Sequence, residues 1–86
     1  MFVILVYDIN EKRVNKVLKK CRQYLNWVQN SVLEGEISEG NYKKMTTELE
    51  QIIDDTDSVI IYNMRTTRYY SRKILGVERS ETGNIL

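Results

Sequence analysis

The chain of 86 residues has no histidine. That absence excludes a histidine general base, any triad built on one, and any histidine-ligated metal. Hydrolytic chemistry, if present, falls to carboxylates, hydroxyls, lysine, arginine, tyrosine or water. Cysteine occurs once, at Cys21, so no intrachain disulfide can form. No apolar run approaches the roughly 20 residues needed to span a membrane. The one N-terminal apolar run is stopped by Asp8 and Asn10, which argues against a signal peptide and points to the cytoplasm. A large net charge is also missing: the formal value is +1. The length suits one domain. A chain this size buries about two-thirds of its unfolded surface, and oligomerisation is an economical way to cover more.

The charge that is present is unevenly placed. Residues 11–22 carry six Lys/Arg against one acid, residues 34–57 carry eight acids against two lysines, and residues 65–79 carry five Lys/Arg against one acid. Two basic blocks thus flank an acidic one, which gives the surface a polarity. Such blocks are commonly solvated faces. They also suit contact with a phosphate backbone.

The stretch Phe2-Val3-Ile4-Leu5-Val6-Tyr7-Asp8 is too short for a globular helix and reads as a strand. Its apolar side chains point both ways, so both faces need cover. Asp8 stands where the strand runs out, either as an active-site carboxylate or as a local cap. Asn10 is the expected N-cap of a first helix, with Glu11 in its first turn. Val14, Val17, Leu18, Cys21 and Leu25 form that helix's apolar stripe, which makes Cys21 a core residue. Lys12, Arg13, Lys16, Lys19, Lys20 and Arg22 lie largely off the stripe. Residues 27–37 read as extended, with a kink near Asn30-Ser31 able to divide them and Gly35 marking a second irregularity. A second helix is expected from Glu39 to Asp54, capped by Ser38. Residues 58–64 form a strand apolar on both faces, and residues 73–76 a short one ended by glycine. Between them Tyr69 and Tyr70 lie among Arg65, Arg68 and Arg72, a mixture suited to base stacking, to an exposed turn or to a subunit contact. The polar tail ends on Ile85-Leu86, which suits addition to a sheet edge.

The order β-α-β(β)-α-β fits an α+β sandwich of the ferredoxin-like kind, with both helices on one face of an antiparallel sheet. Residues 1–76 make the domain and 77–86 the tail. Nothing left in the chain is large enough to cover the other sheet face. A homodimer stacked sheet against sheet would cover it.

Four sets of residues resemble one known family. They are Val6-Tyr7-Asp8-Ile9; the Arg13-x-x-Lys16-x-x-Lys19 rhythm; Val28-Gln29-x-Ser31-Val32-x-Glu34-Gly35; and Asp57-Ser58-Val59-x-Ile61-Tyr62 followed by Ile74-Leu75-Gly76. Their order and spacing over residues 2–76 resemble the CRISPR-associated protein two family of the spacer-acquisition machinery. The chain departs from the pattern at Leu25, where glycine is frequent, at Trp27, where a basic residue is common, and at Leu33, where phenylalanine is frequent.

The resemblance implies a ferredoxin-like homodimer, two short strands within 27–37, and a C-terminal strand near Asn84-Ile85-Leu86 pairing across the dimer. It implies an endonuclease in which two copies of Asp8 serve as catalytic residues and share Mg²⁺ or Mn²⁺; in such a site Ser31 is either an auxiliary group that orients water or phosphate or simply a sheet hydroxyl. Lys12, Arg13, Lys16, Lys19, Lys20, Arg65, Arg68 and Arg72 would contact nucleic acid, either double-stranded DNA or single-stranded RNA. It also implies bridging of the CRISPR integrase subunit. The competing readings are a non-catalytic scaffold for that integrase, or a toxin-like ribonuclease or plain RNA-binding ferredoxin-like domain.

Overall fold

The structure, a computed structural model, describes residues 1–68 and 70–77. Its elements are β1 (Phe2–Asp8), α1 (Val14–Arg22), β2 (Asn26–Gln29), β3 (Val32–Glu36), α2 (Glu39–Ile52) and β4 (Ser58–Met64). The strands form one sheet in the order β2-β3-β1-β4, antiparallel throughout. This is the ferredoxin-like βαββαβ arrangement, with both helices packed on one face.

Alternation along β1 explains the layering. Val3, Leu5 and Tyr7 point toward the helices and are buried, while Phe2, Ile4 and Val6 point the other way and are only partly covered. Val17 and Cys21 of α1 and Met45 and Leu49 of α2 close over the first set. Burial pushes the Cys21 thiol up to about 12, as expected for an inert core cysteine.

The first helix starts later than its sequence suggests. Asn10 builds a turn instead: its side-chain oxygen accepts from the Lys12 N–H at 2.9 Å, and its carbonyl accepts from the N–H groups of Arg13 and Val14. The helix proper begins at Val14, so Glu11 lies ahead of it. The lysines and arginine of its last turn complement the helix dipole. In α2, Ser38 is the N-cap, its hydroxyl accepting from the Asn41 N–H at 3.1 Å. This helix stops at Ile52 rather than Asp54, because Ile53 turns extended and the Asp54 N–H is donated to the Asp57 carboxylate.

The extended stretch divides at Asn30-Ser31 into the hairpin β2–β3. Its irregularity lies between Trp27 and Gln29, whereas Gly35 sits in regular register opposite Val3. Residues 73–76 do not form the expected strand. They belong to a segment that lies on the sheet's open face, tied down by side chains, and Gly76 there takes a φ of +96°, a turn conformation. Tyr69, the tail from residue 78 and the expected strand at 84–86 lie outside the described residues.

Leu5 has no exposed surface and sits at the centre of the core. Leu5→Ala is expected to cost about 2–5 kcal/mol of stability, read from the urea midpoint followed by Trp27 fluorescence.

Candidate functional site

Asp8 ends β1 opposite Ser58 of β4, exposed, on the face turned away from the helices. Its position follows from the alternation of β1: the register that buries Val3, Leu5 and Tyr7 puts Ile4, Val6 and Asp8 together on the open side. Next to it, the Tyr7 N–H donates to the Ser31 carbonyl at 3.0 Å, so the hairpin turn that carries Ser31 lies against the strand end.

Two residues beyond Asp8 the loop is clamped. The Asp57 carboxylate accepts from the Asn10 N–H at 2.9 Å and from the Asp54 N–H at 2.9 Å. It also accepts from Arg13 Nε at 2.6 Å and Arg13 Nη2 at 3.2 Å. The pair thereby joins the β1–α1 loop to the α2–β4 loop. Arg13 and the two backbone donors hold the Asp57 carboxyl well below the usual carboxylate range, and Asp57 in turn raises the Arg13 guanidinium. Four donors occupy both Asp57 oxygens, so this carboxylate has no lone pair to offer a metal. Arg13, which the sequence suggests for phosphate contact, directs its fork inward. Asp57 is the clamping residue that sequence reasoning missed. It lies in one of the recognised motifs, yet nothing in a separation of 44 residues reveals its partner.

The remaining basic residues fall into two groups. Lys12, Lys16 and Lys19 are exposed and make no ion pair among the described residues. Lys19 and Arg22, with Asn15, Leu18 and Gln23, line a shallow groove of about 500 Å³ along α1. Arg22 also stacks over the Trp27 ring, 5.3 Å from its centroid. Lys20 turns toward α2, where Glu48 lies 3.7 Å away and also accepts from the Tyr24 hydroxyl at 2.8 Å. Arg65 and Arg68 are exposed beyond β4, and Arg72 reaches back over the sheet to Glu34 at 2.8 Å.

Among the described residues no three His, Cys, Asp or Glu side chains come together. Magnesium is commonly held by one or two carboxylates, with waters and substrate phosphates filling the other positions. Among the described residues one chain supplies Asp8 alone at this corner, and that donor set does not make a metal site by itself.

The clamp has a pH signature. Since the folded state depresses the Asp57 carboxyl, its contribution is fully present above the unfolded value near 3.9 and is lost as pH falls below that. Asp57→Asn is therefore expected to lower the melting temperature at pH 7, with the gap from wild type narrowing progressively below about pH 4. Thermal denaturation of both proteins from pH 2 to 7 checks this.

Known proteins resemble this chain along its whole length. The family model described as CRISPR associated protein Cas2 matches residues 1–72. The CRISPR-associated endoribonuclease Cas2 of Dictyoglomus turgidum is 54% identical, with 100% of each chain covered. That of Thermotoga maritima is 54% identical, with 99% of each covered. Among solved structures, a Cas2 crystal structure superimposes with a TM-score of 0.86 at 40% identity, covering 93% of this chain and 91% of the other. Streptococcus pyogenes Cas2 gives 0.74 at 30% identity, covering 86% and 99%.

Proposed function

The chain belongs to the Cas2 family of CRISPR-associated proteins, and from that premise we propose that it serves spacer acquisition as a homodimeric scaffold that bridges duplex DNA and the CRISPR integrase subunit. The observation that carries the reading is the row of Lys12, Lys16 and Lys19 on the helix side of the fold. Other basic residues are spent internally: Arg13 on Asp57, Lys20 beside Glu48, Arg72 on Glu34. These three are not. Spacings of four and three residues put them along one side of α1 and its leading turn. The opposite side of the sheet leaves Ile60 and Tyr62 half exposed, at 50% and 56%. Two copies joined through that face would turn their lysine rows outward on opposite sides of the dimer, a geometry that holds a backbone without reading bases.

Binding of this kind is electrostatic, insensitive to sequence and steeply dependent on salt. The triple substitution Lys12→Ala/Lys16→Ala/Lys19→Ala is expected to weaken duplex binding uniformly across sequences. For three lost phosphate contacts per chain, the slope of log K against log salt should fall by about 3. Fluorescence anisotropy at several salt concentrations measures it, and an unchanged slope removes these lysines from the interface.

A second reading, phosphodiester hydrolysis, is favoured by one placement. Asp8 stands exposed on the same face that would meet the second copy, where the partner's carboxylate could complete a pair. The relatives' name, endoribonuclease, belongs to this reading. Mg²⁺ or Mn²⁺ held there would activate water and stabilise the developing charge on phosphate. The chain's own part is to hold Asp8 at the strand end, through the β4 ladder and the Asp57 clamp, and to position the phosphates. Asp8→Asn separates the two readings when both proteins are verified as folded dimers. The scaffold reading expects spacer integration to survive the substitution. The hydrolytic reading expects Mg²⁺-dependent cleavage of labelled RNA or duplex DNA by wild type and its loss in the variant.

A further inference from the structure

The last row of the ladder between β1 and β4 pairs Asp8 with Ser58. Residues directly opposite on an antiparallel pair share a face, with Cβ atoms about 4.5–5.5 Å apart. Both side chains are exposed, on the side turned away from the helices. Neither makes a hydrogen bond or an ion pair among the described residues. Other acids of the fold are engaged: Asp57 takes four donors, Glu34 pairs with Arg72, and Glu48 accepts from Tyr24. Asp8 caps nothing, so the local role open to it in the sequence is unfilled. The frame around the pair is nonetheless fixed. Asp57, immediately ahead of Ser58, accepts from the N–H of Asn10, two residues past Asp8. Ser31 is out of step with this row. Its carbonyl accepts from the Tyr7 N–H, so it stands opposite Tyr7, and the pleat turns successive side chains to opposite faces. The hydroxyl in register with Asp8 is that of Ser58.

We propose that Asp8 and Ser58 together recognise the ribose 2′-hydroxyl of an RNA strand. The inference rests on the second reading above, which brings a strand to Asp8, and adds the sugar that the strand carries. A carboxylate at neutral pH offers only acceptors, whereas a serine hydroxyl can also donate. A phosphate likewise offers only acceptors, and its charge has the same sign as the carboxylate's. No cation pairs with Asp8 among the described residues, and the Arg13 fork is taken by Asp57. The pair as it stands therefore suits a neutral group that both donates and accepts. The 2′-hydroxyl does both, and it is what separates RNA from DNA at a given site. It donates to one Asp8 oxygen and accepts from Ser58, which the cross-strand spacing allows at once. Deoxyribose leaves both groups without a partner. Phosphates are common to RNA and DNA, so the lysine row holds either, and the choice of sugar falls to this corner.

The test is binding without turnover. One labelled single-stranded sequence is made with ribose, 2′-deoxyribose and 2′-O-methylribose, and affinities for the full chain are read by fluorescence anisotropy in EDTA. Wild type is expected to prefer ribose over both analogues by about tenfold, the loss of one hydrogen bond to a charged group. The O-methyl sugar keeps an acceptor but has no proton to give Asp8, so it binds like deoxyribose. The ribose preference falls in Asp8→Ala and in Ser58→Ala. It survives in Ser58→Thr, which keeps a hydroxyl, and in Ser31→Ala. Removing the Asp8 charge strengthens binding of all three strands, so the ratio between sugars is the quantity read. Both positions are exposed, and melting temperatures matching wild type confirm folding. Equal wild-type affinity for the three sugars overturns the proposal. So does a preference that survives both alanine variants, or one that falls in Ser31→Ala instead. Cleavage in Mg²⁺ is scored separately. Its absence, with a ribose preference that depends on Ser58, overturns the hydrolytic reading and leaves sugar recognition standing. Cleavage by a protein whose sugar preference ignores the pair overturns the proposal alone.

Discussion

Strand β1 carries apolar side chains on both sides, and the rest of the structure answers to that. One side, with Val3 and Leu5 fully buried, is met by the two helices. The other is met, among the described residues, by the segment after β4, whose Tyr70 packs on Phe2 and whose Arg72 pairs with Glu34. Hydrophobic burial scales with the area removed from water, and on this side Ile60 and Tyr62 stay half exposed. The same register that buries the core brings Asp8 out on the uncovered side. Core packing and the placement of Asp8 are therefore consequences of one alternation.

Electrostatics adds a second layer of organisation. A net charge of +1 conceals a division of labour among the basic residues. Arg13 locks two loops through Asp57, Lys20 works in the seam between the helices, and Arg72 neutralises an acid on the sheet face. Guanidinium groups take the bidentate or buried tasks, which suits their planar fork. Lys12, Lys16 and Lys19 keep water-exposed ends. The scaffold reading rests on which lysines remain unpaired rather than on the number of Lys and Arg.

The ferredoxin-like architecture was legible before any coordinates, because helical and strand periodicities alternate clearly along the chain. Strand β4 and the cap at Ser38 are local features: a short β-branched run and a hydroxyl ahead of an amphipathic helix. The places where local reasoning went astray share one cause. The first helix starts late because Asn10 builds a turn whose N–H answers to Asp57, far along the chain. The second ends early because Asp54 answers to the same carboxylate. Residues 73–76 are apolar enough for a strand, but they are held on a face by Arg72 and Gln29 instead of along an edge.

By itself, the sequence determined the class of fold, the strand that both layers need, the acid at its end, and the family, since each depends on residue type and spacing within a few turns of chain. Only the tertiary structure decided which charges remain available, because ion pairing depends on what lies within a few ångströms in space. Arg13 and Lys16 look alike along the chain. One is clamped by a carboxylate 44 residues away and the other faces water.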